Sequence, residues 1–462
     1  MSARTSLRLA VRPLSRAPAI GSSARPSPSL ARSTVPKLGQ RSFTASSSSA
    51  APGSGPGSNA KWKTFAGSAA TGFVIAFSID MYKGYKEANQ STVQCDGAPA
   101  VEAIETYGYP WAPVDAIEKD DPKNPMRIRM ANWVKSLQDH IVNTMEDIEA
   151  RSSPNSFSPS PEPPKFLRDT WIRPEGGEGS SCVLSGGRVF EKAGINVSVV
   201  HGMLPPRAQK AMLPDHPSLP EPTGTVPFFA TGLSIVIHPR NPHVPTVHLN
   251  YRYFEIDDPE TGKPKAWWFG GGSDLTPSYL VEEDVVHFHK VLKEACDKHD
   301  ERYWPDFKKA CDKYFFLPHR GESRGVGGLF FDDLTTSSPI NQPPVSTMPH
   351  KTQEDIFEFV KSASSAFLPA YVPIVYKNKE RKWTEEERRW QQIRRGRYVE
   401  FNLVYDRGTK FGLNTPGARI ESILMSLPET ARWEYMCPIG AAGSNTPEEE
   451  LVQVLRNPKE WV

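Results

Sequence analysis

Two segments of this 462-residue chain combine ionisable and hydrogen-bonding side chains with the apolar content of β-strands. The first is GLSIVIHPRNPHVPTVHLNYRYF at 232–254, and the second is WWFGGGSDLTP at 267–277. Burying polar groups is unfavourable unless a partner or a ligand satisfies them, and such groups concentrate at functional sites. The two segments therefore predict a site.

Alternating apolar and polar residues over Thr246–Ile256 predict a strand with Val247, Leu249, Tyr251 and Tyr253 on one face. His248, Asn250 and Arg252 then share the other face. Histidine exchanges protons near neutral pH, and arginine can hold a carboxylate with two hydrogen bonds. The pattern predicts proton transfer and carboxylate binding, with a polar face that only contacts water as the alternative.

Asp274 follows three consecutive glycines in the second segment. No GK[ST] motif is present, and an acid in that place would repel a phosphate. We interpret the segment as a tight turn whose bare backbone lets a cationic or N–H-donating ligand approach Asp274. A turn without a ligand is the alternative. Arg419, in TPGARIES, is a second candidate for binding a carboxylate.

Metal binding is a minority interpretation of the dispersed histidines. No motif context requires a metal at the weak candidates His238, His248, His289 and His319. The five cysteines have no CxxC spacing, which argues against a zinc ribbon or an iron–sulfur centre built from neighbouring cysteines. We expect no disulfide framework.

The elements that must position these residues alternate between helical and strand periodicities. The predicted helices are Pro125–Ala150, Glu282–Asp300, Gln353–Phe367 and Trp383–Arg395, and the predicted strands are Asn196–His201, Gly232–Ile237, Thr246–Ile256 and Arg397–Tyr405. Ser181–Lys192 predicts a hairpin that turns at Gly186-Gly187, and Thr384 with Glu387 predicts a capping box. We expect one α+β domain at 107–462, a large mainly antiparallel sheet with helices packed on it, and a Pro/Ser-rich loop insertion at 151–165.

The first 60 residues are rich in Ser, Ala, Arg, Pro and Gly, and no acidic residue precedes Asp80. This composition predicts a disordered mitochondrial targeting presequence at 1–60, with a plain basic tail as the alternative. Within 61–106, the apolar stretch Phe65–Ile79 is shorter than a bilayer span and predicts a sorting signal, with a retained anchor as the alternative. The net charge of +2 gives no indication of nucleic-acid binding.

Four long blocks closely resemble the oxygen-dependent coproporphyrinogen III oxidases of the mitochondrial eukaryotic type. They are GLSIVIHPRNPHVPTVHLNYRYFE, WWFGGGSDLTP, YFFLPHRGESRGVGGLFFDDL and RRGRYVEFNLVYDRGTKFGLNTPGARIESILMSLPETARWEY. The resemblance runs from about Pro125 to Val462. It implies a homodimer of three-layer α/β/α sandwiches, with helices on both faces of the sheet. The implied reaction is oxidative decarboxylation of two propionates of coproporphyrinogen III to vinyl groups, giving protoporphyrinogen IX in haem biosynthesis.

The resemblance also assigns roles to individual residues. His248 resembles the proton donor, and Asp274 resembles the acid that receives the pyrrole N–H groups. The implied substrate contacts are Ser234, Asn250, Tyr251, Arg252, Gly417, Ala418 and Arg419. Dimerisation is implied for His319, for Val189 to Ser198 and for Tyr398 to Glu434. Molecular oxygen is the implied co-substrate, and no flavin, haem, iron–sulfur centre or resident metal is expected, although some bacterial relatives are described as using one.

Two other classes of protein remain alternatives. A metal-dependent oxygenase could use Asp274 with His248 and His289, and it would lose its activity in strong chelator. A tetrapyrrole carrier would bind its ligand without taking up oxygen. The expected location is the mitochondrion, in the intermembrane space, with possible peripheral association with the inner membrane and no nucleic-acid partner.

Overall fold

The computed structural model describes residues 120–174, 176–214, 219, 221–222, 224–341, 351–414 and 418–462. The predictions for 1–60 and 61–106, the start of the domain near 107, and Gly417 lie outside these described residues. In the part of the chain that is described, no helix combines the length and the apolar character that crossing a membrane requires.

A seven-stranded sheet forms the centre of the described chain. Each strand pairs antiparallel with its neighbour in the order β1-β2-β3-β4-β5-β6-β9. The strands are β1 (Leu167–Ile172), β2 (Gly177–Ser185), β3 (Phe190–Leu204), β4 (Val226–Pro239), β5 (Thr246–Asp257), β6 (Pro264–Thr276) and β9 (Gly327–Leu334), and a small hairpin joins β7 (Phe316–Leu317) to β8 (Glu322–Ser323). The predicted α+β class is confirmed.

Helices of the described chain complete the fold. In chain order they are α1 (Met126–Ala150), α2 (Pro206–Met212), α3 (Glu282–Asp297), α4 (Tyr303–Tyr314), α5 (Gln353–Ser365), α6 (Phe367–Asn378), α7 (Glu385–Val404), α8 (Arg407–Asn414), α9 (Ile420–Leu424) and α10 (Pro447–Arg456). Residues 151–165 contain turns and bends without a helix or strand.

One face of the sheet is the apolar core. Along β5 the odd-numbered residues from Val247 to Tyr253 are fully buried, whereas the even-numbered residues between them are half-buried. Helix α1 packs on the buried face through apolar residues spaced by three and four, as predicted. At its end, Glu149 accepts backbone N–H groups of Arg188, Val189 and Phe190, which fixes the connection between β2 and β3. The predicted hairpin is confirmed there, and Gly186 has the positive φ of 69° that its turn requires.

Helices also cover part of the opposite face, in agreement with a three-layer arrangement. Asn196 of β3 donates to the Ser422 carbonyl in α9, and the His238 ring of β4 lies edge-on to Tyr398 of α7. The capping box of Thr384 and Glu387 that begins α7 is confirmed. The predicted strand Arg397–Tyr405 is wrong, because α7 continues to Val404 and buries Trp390, Arg394, Tyr398 and Phe401 at helical spacing.

The segment 267–277 also differs from its prediction. It is not a tight turn, because Trp267 to Thr276 belong to β6 between β5 and β9. Glycine is unfavourable in strands unless another group approaches closely. At Gly270, an added Cβ would lie 2.6 Å from Asp332 Oδ1 and 2.8 Å from Arg252 Nε. The glycine run therefore makes room for side chains on the polar face.

Candidate active site

His248 and Asp274 form the centre of the polar sheet face. The two residues are directly opposite each other in the register of β5 and β6. His248 Nδ1 lies 2.7 Å from Asp274 Oδ1. The aspartate side chain is 2% exposed and the histidine side chain is 19% exposed. The pair thus joins a buried carboxylate to an imidazole at the edge of the open surface.

Arg324 contacts the other oxygen of the same carboxylate. Its Nη2 donates to Asp274 Oδ2 at 2.7 Å, and both side chains are 2% exposed. The guanidinium carbon lies 4.1 Å from the ring centre of Phe315, and the rings of Tyr398 and Phe401 lie at 4.7 and 4.8 Å. From the sequence, Arg324 is a candidate for an anion contact or for a surface charge, and the structure shows a buried contact with a carboxylate. The glycines that surround it in SRGVGG were the available signal, because they let its backbone lie against β6.

The electrostatic environment keeps Asp274 ionised. Burial alone would raise its pKa, but the charge of Arg324 and the hydrogen bond of His248 hold the pKa below the usual aspartate value. An ionised carboxylate only accepts hydrogen bonds, so the proton on His248 lies on Nδ1. Nε2 is then the ring nitrogen that can donate or accept a proton on the open side.

The half-buried strip of this sheet face that runs from His248 to Phe254 along β5 is called the trough. Ser234 of β4 lies directly opposite Asn250 of β5, and both side chains are half-buried. Gly232 of β4 pairs with Arg252, and Gly272 of β6 pairs with Asn250. The floor of the trough is therefore polar and has few projecting side chains, which suits the close approach of a flat ligand.

Two arginines form the rim of the trough, and they share one carboxylate. Arg252 Nη2 and Arg407 Nη2 lie 2.8 and 3.1 Å from Asp332 Oδ2. The side chains of the two arginines are 38% and 36% exposed. A cavity of about 770 Å³ lies behind them at the β9 edge, and Phe330, Asp332 and Arg407 line it. The rim is therefore cationic and accessible.

Aromatic rings close the far end of the trough. Phe254 stacks on Trp268 with ring centres 4.5 Å apart, and Phe228 stacks on Phe254 at 5.6 Å. From His248 to Phe254 the trough extends about 20 Å along β5 at the usual strand rise. Proton-transfer, polar, cationic and aromatic groups thus follow one another on a single strand face.

Some predicted substrate contacts are not brought to this trough. The Tyr251 side chain is fully buried on the core face, because alternate residues of a strand point to opposite faces, so only its backbone can face the trough and its substrate contact stays a prediction. Arg419 pairs with Asp169 of β1, and the half-buried Ala418 precedes it. Four strand spacings separate β1 from β5, or about 19 Å. Arg419 lies beside β1 on the same sheet face as Arg252, and α9, which follows Arg419, reaches β3, where Asn196 donates to the Ser422 carbonyl.

The four candidate metal-binding histidines occupy separate environments. His238 is fully buried and its Nε2 lies 2.8 Å from the Ser426 carbonyl oxygen. His289 packs between Trp304 and Trp461, and burial lowers its pKa to about 3. His319 contacts Glu400 and Tyr405. Within the described ranges, the group of three side chains with metal-binding spacing is Asp120, Glu354 and Glu358, so neither these histidines nor Asp274, His248 and His289 form one.

The residues predicted for dimerisation differ in exposure. Val189 and Tyr398, the first residues of the two predicted interface segments, have side chains buried within the protomer, so exposed residues of these segments would have to form the predicted interface. Ser198 is half-buried on the trough face of β3. His319 is 39% exposed and, together with Arg320 and Trp433, contacts Glu400. Glu434 forms an ion pair with Arg389.

The fold and this trough are those of an α+β protein with a buried His–Asp–Arg group and two exposed arginines on one sheet face. A family model described as Coproporphyrinogen III oxidase matches residues 129–461. The chain belongs to the coproporphyrinogen III oxidase family. The prediction of an oxygen-dependent oxidoreductase of haem biosynthesis is thereby confirmed.

Curated relatives agree with the family. The oxygen-dependent coproporphyrinogen-III oxidase of Drosophila melanogaster is 58% identical over 341 residues, which cover 74% of this chain and 79% of the relative. A human relative named as the mitochondrial enzyme is 55% identical over 297 residues, covering 64% of this chain and 61% of the relative. An Arabidopsis thaliana relative, coproporphyrinogen-III oxidase 1, chloroplastic, is 47% identical over 350 residues, covering 75% and 82%.

Proposed function

We propose that this chain converts two propionates of coproporphyrinogen III to vinyl groups with molecular oxygen. For each propionate, the bond to the carboxylate breaks and releases carbon dioxide, and one hydrogen leaves the neighbouring carbon. The two electrons reduce oxygen, which with the released hydrogen and one further proton gives hydrogen peroxide. The protein must therefore hold a tetra-anionic macrocycle, position one propionate and deliver a proton.

The observation that carries the proposal is the sequence of groups along the trough. Arg252 and Arg407 supply positive charge at the rim, where the propionates of the substrate need partners. Ser234 and Asn250 offer oxygen atoms on the floor, which can face the pyrrole N–H groups. The stacked Phe254 and Trp268 provide an apolar surface for the ring edge.

His248 is the proton donor in this proposal, and it acts through Nε2. Asp274 fixes the orientation and tautomer of its ring, because Nδ1 donates to Oδ1. Asp274 is 2% exposed and each of its oxygens has a protein partner, so in this proposal it acts through His248 and the pyrrole N–H groups face Ser234 and Asn250. No flavin, haem, iron–sulfur centre or resident metal has a part in this mechanism.

The test compares purified, chelator-treated protein with and without oxygen, and follows protoporphyrinogen, carbon dioxide and oxygen uptake. Product is expected only with oxygen, at one carbon dioxide per oxygen consumed. Loss of activity in chelator would favour a metal-dependent oxygenase, and binding without oxygen uptake would favour a carrier. His248→Gln should lower kcat about 10²- to 10⁴-fold. His201→Gln, at an exposed histidine of β3, is the matched control and should retain activity.

A homodimer is also part of the proposal. Seven large apolar side chains in or just after the block Tyr398–Glu434 are exposed, namely Leu403, Val404, Leu413, Ile420, Trp433, Tyr435 and Met436. Exposed apolar groups in such number favour a protein interface. Sedimentation equilibrium should give twice the protomer mass, and Trp433→Ser should weaken association. A monomeric wild type would contradict this part.

We further propose a mitochondrial location, in the intermembrane space with peripheral contact to the inner membrane. The Arg-rich leader and the mitochondrial names of the human, rat and mouse relatives support it. Because plant relatives are named chloroplastic, membership of the family does not specify the organelle, and the leader must do so. Import assays with residues 1–106 fused to a reporter test the location, because uptake by chloroplasts alone would contradict it.

A further inference from the structure

The segment Asn457–Val462 packs behind the active site, on the far side of strand β6 from the trough. Trp461 is 9% exposed, and its indole N–H donates to the Val326 carbonyl at 3.3 Å. Lys308 of α4 is 1% exposed, and its ammonium group donates to the Lys459 carbonyl at 2.9 Å and to Asp312 at 2.6 Å. A buried lysine and a buried indole thus hold this segment in one place.

Val326, which accepts the hydrogen bond of Trp461, is also hydrogen-bonded to the residue that follows Asp274. The backbone N–H of Val326 donates to the Leu275 carbonyl at 2.9 Å, and Leu275 follows Asp274. Two residues before Val326, the backbone N–H of Arg324 donates to the Phe315 carbonyl at 2.9 Å. The short stretch 324–326 therefore lies between β6 on one side and Trp461 on the other.

Glycines make this stretch depend on its neighbours. A Cβ at Gly325 would overlap the Leu275 carbonyl oxygen, and a Cβ at Gly328 would overlap that of Ser273. Gly327 has a φ of 87°, where a Cβ would lie 2.8 Å from Asp312. Glycine-rich backbone has high conformational freedom, and its close approach to β6 restricts it from one side only. External contacts must hold it in the conformation that directs Arg324 at Asp274.

We propose that Trp461 and the segment 459–462 are a positioning element, which holds the Arg324 guanidinium against Asp274 and so orients His248. Trp461 is a positioning residue, because it touches neither the trough nor the reacting atoms. The inference rests on the proposed function, since it assigns catalytic work to His248. It predicts a loss in kcat with little change in KM, because the trough floor and the rim are untouched.

A matched pair of tryptophans tests the proposal. Trp461 and Trp304 both pack against His289, with ring centres 6.2 and 5.5 Å away. Only Trp461 donates a hydrogen bond, since the Trp304 indole N–H has no partner among the described residues. Trp461→Phe should lower kcat about fivefold, the rate equivalent of roughly 1 kcal/mol, with KM within about twofold. Trp304→Phe should retain kcat.

A double-mutant cycle shows whether Trp461 acts through Arg324. In an Arg324→Lys background, Trp461→Phe should cause less than about a twofold further loss, because coupled residues are not additive. Equal losses in both backgrounds, or equal effects of the two tryptophan variants, would overturn the proposal. If Trp461→Phe does not fold, 3-benzothienylalanine at 461 keeps the ring shape and removes only the donor. An inactive wild type would contradict the proposed function instead.

Discussion

Two carboxylate–arginine contacts on one face of the same sheet have opposite surroundings. At one end, Asp274 and Arg324 are each 2% exposed, and the Arg324 guanidinium contacts aromatic rings. At the other, Asp332 is shared by Arg252 and Arg407, whose side chains are more than one-third exposed. The same residue types therefore serve two purposes within a single trough.

The two contacts differ physically in their exposure to solvent. A buried pair interacts strongly but cannot lose one partner without leaving an uncompensated charge, which costs about 3–5 kcal/mol. Exposed pairs are screened and contribute about 0–1 kcal/mol, so an arginine can exchange its partner for a substrate carboxylate. The buried contact should fix the proton donor, and the rim contact should hold propionates.

Asp274→Asn should produce the largest effect, because it removes the charge while keeping the size of the side chain. The amide can no longer enforce the tautomer of His248, so kcat should fall about 10²- to 10⁴-fold with little change in KM. Steady-state kinetics with circular dichroism as the folding check measures this. Asp332→Asn is the matched control at the rim and should retain kcat. Near-wild-type turnover in Asp274→Asn would show that the buried contact does not fix the proton donor.

Arg324→Met should make stability depend on pH in a new way. In the wild type the pKa of Asp274 is below its usual value, so this carboxylate stabilises the fold above about pH 4 and loses that contribution as the pH falls through the lower folded value. Without Arg324, burial raises the pKa, and ionised Asp274 then opposes folding as the pH rises.

The stability gap between Arg324→Met and the wild type should therefore widen from pH 4 to pH 7. The expected increase is about 1.4 kcal/mol for each unit by which the pKa rises. Urea denaturation at several pH values measures the gap, and other groups titrate equally in both proteins. Parallel pH curves would show that Arg324 does not set the state of Asp274.

The strand residues at both ends of the trough could be predicted from the sequence, but the rim partners Arg407 and Asp332 could not. Alternation on β5 correctly placed His248, Asn250 and Arg252 on one face, because strand periodicity is a local property. Arg324 could not be found this way, since its contact with Asp274 joins residues 50 positions apart through a glycine-rich stretch. Burial of Asp274 depends on that same distant contact.

The prediction of secondary structure was wrong where local preferences compete with packing. Arg397–Tyr405 is rich in aromatic and branched residues and alternates like a strand, yet Tyr398 and Phe401 also fit the buried side of a helix. Packing against the core decides between helical and strand periodicity, and this packing cannot be read from the local sequence. Likewise, glycines at 270–272 predict a turn locally, although close side chains of β5 and β9 explain them in a strand.

Arg252→Gln should affect binding rather than chemistry. Loss of a charge-assisted hydrogen bond of about 1.5–3 kcal/mol should raise KM roughly 10- to 100-fold, with kcat nearly unchanged. The difference in KM between Arg252→Gln and the wild type should be smaller at high salt, because exposed charges are screened. Kinetics at two ionic strengths checks both points. A fall in kcat with constant KM would instead make Arg252 part of the proton-transfer end.

Asp169→Asn should have the smallest effect, and it tests whether the far side of the face belongs to the trough. Asp169 and Arg419 are 49% and 41% exposed, so breaking their pair should change the free energy of unfolding by less than about 1 kcal/mol. If Arg419 binds a propionate at the β1 side of this face, removing its competing carboxylate should lower KM slightly, and Arg419→Gln should raise KM. Unchanged KM in both variants would confine substrate binding to the strands between β3 and β9, because the screened pair at β1 would then have no ligand to exchange for.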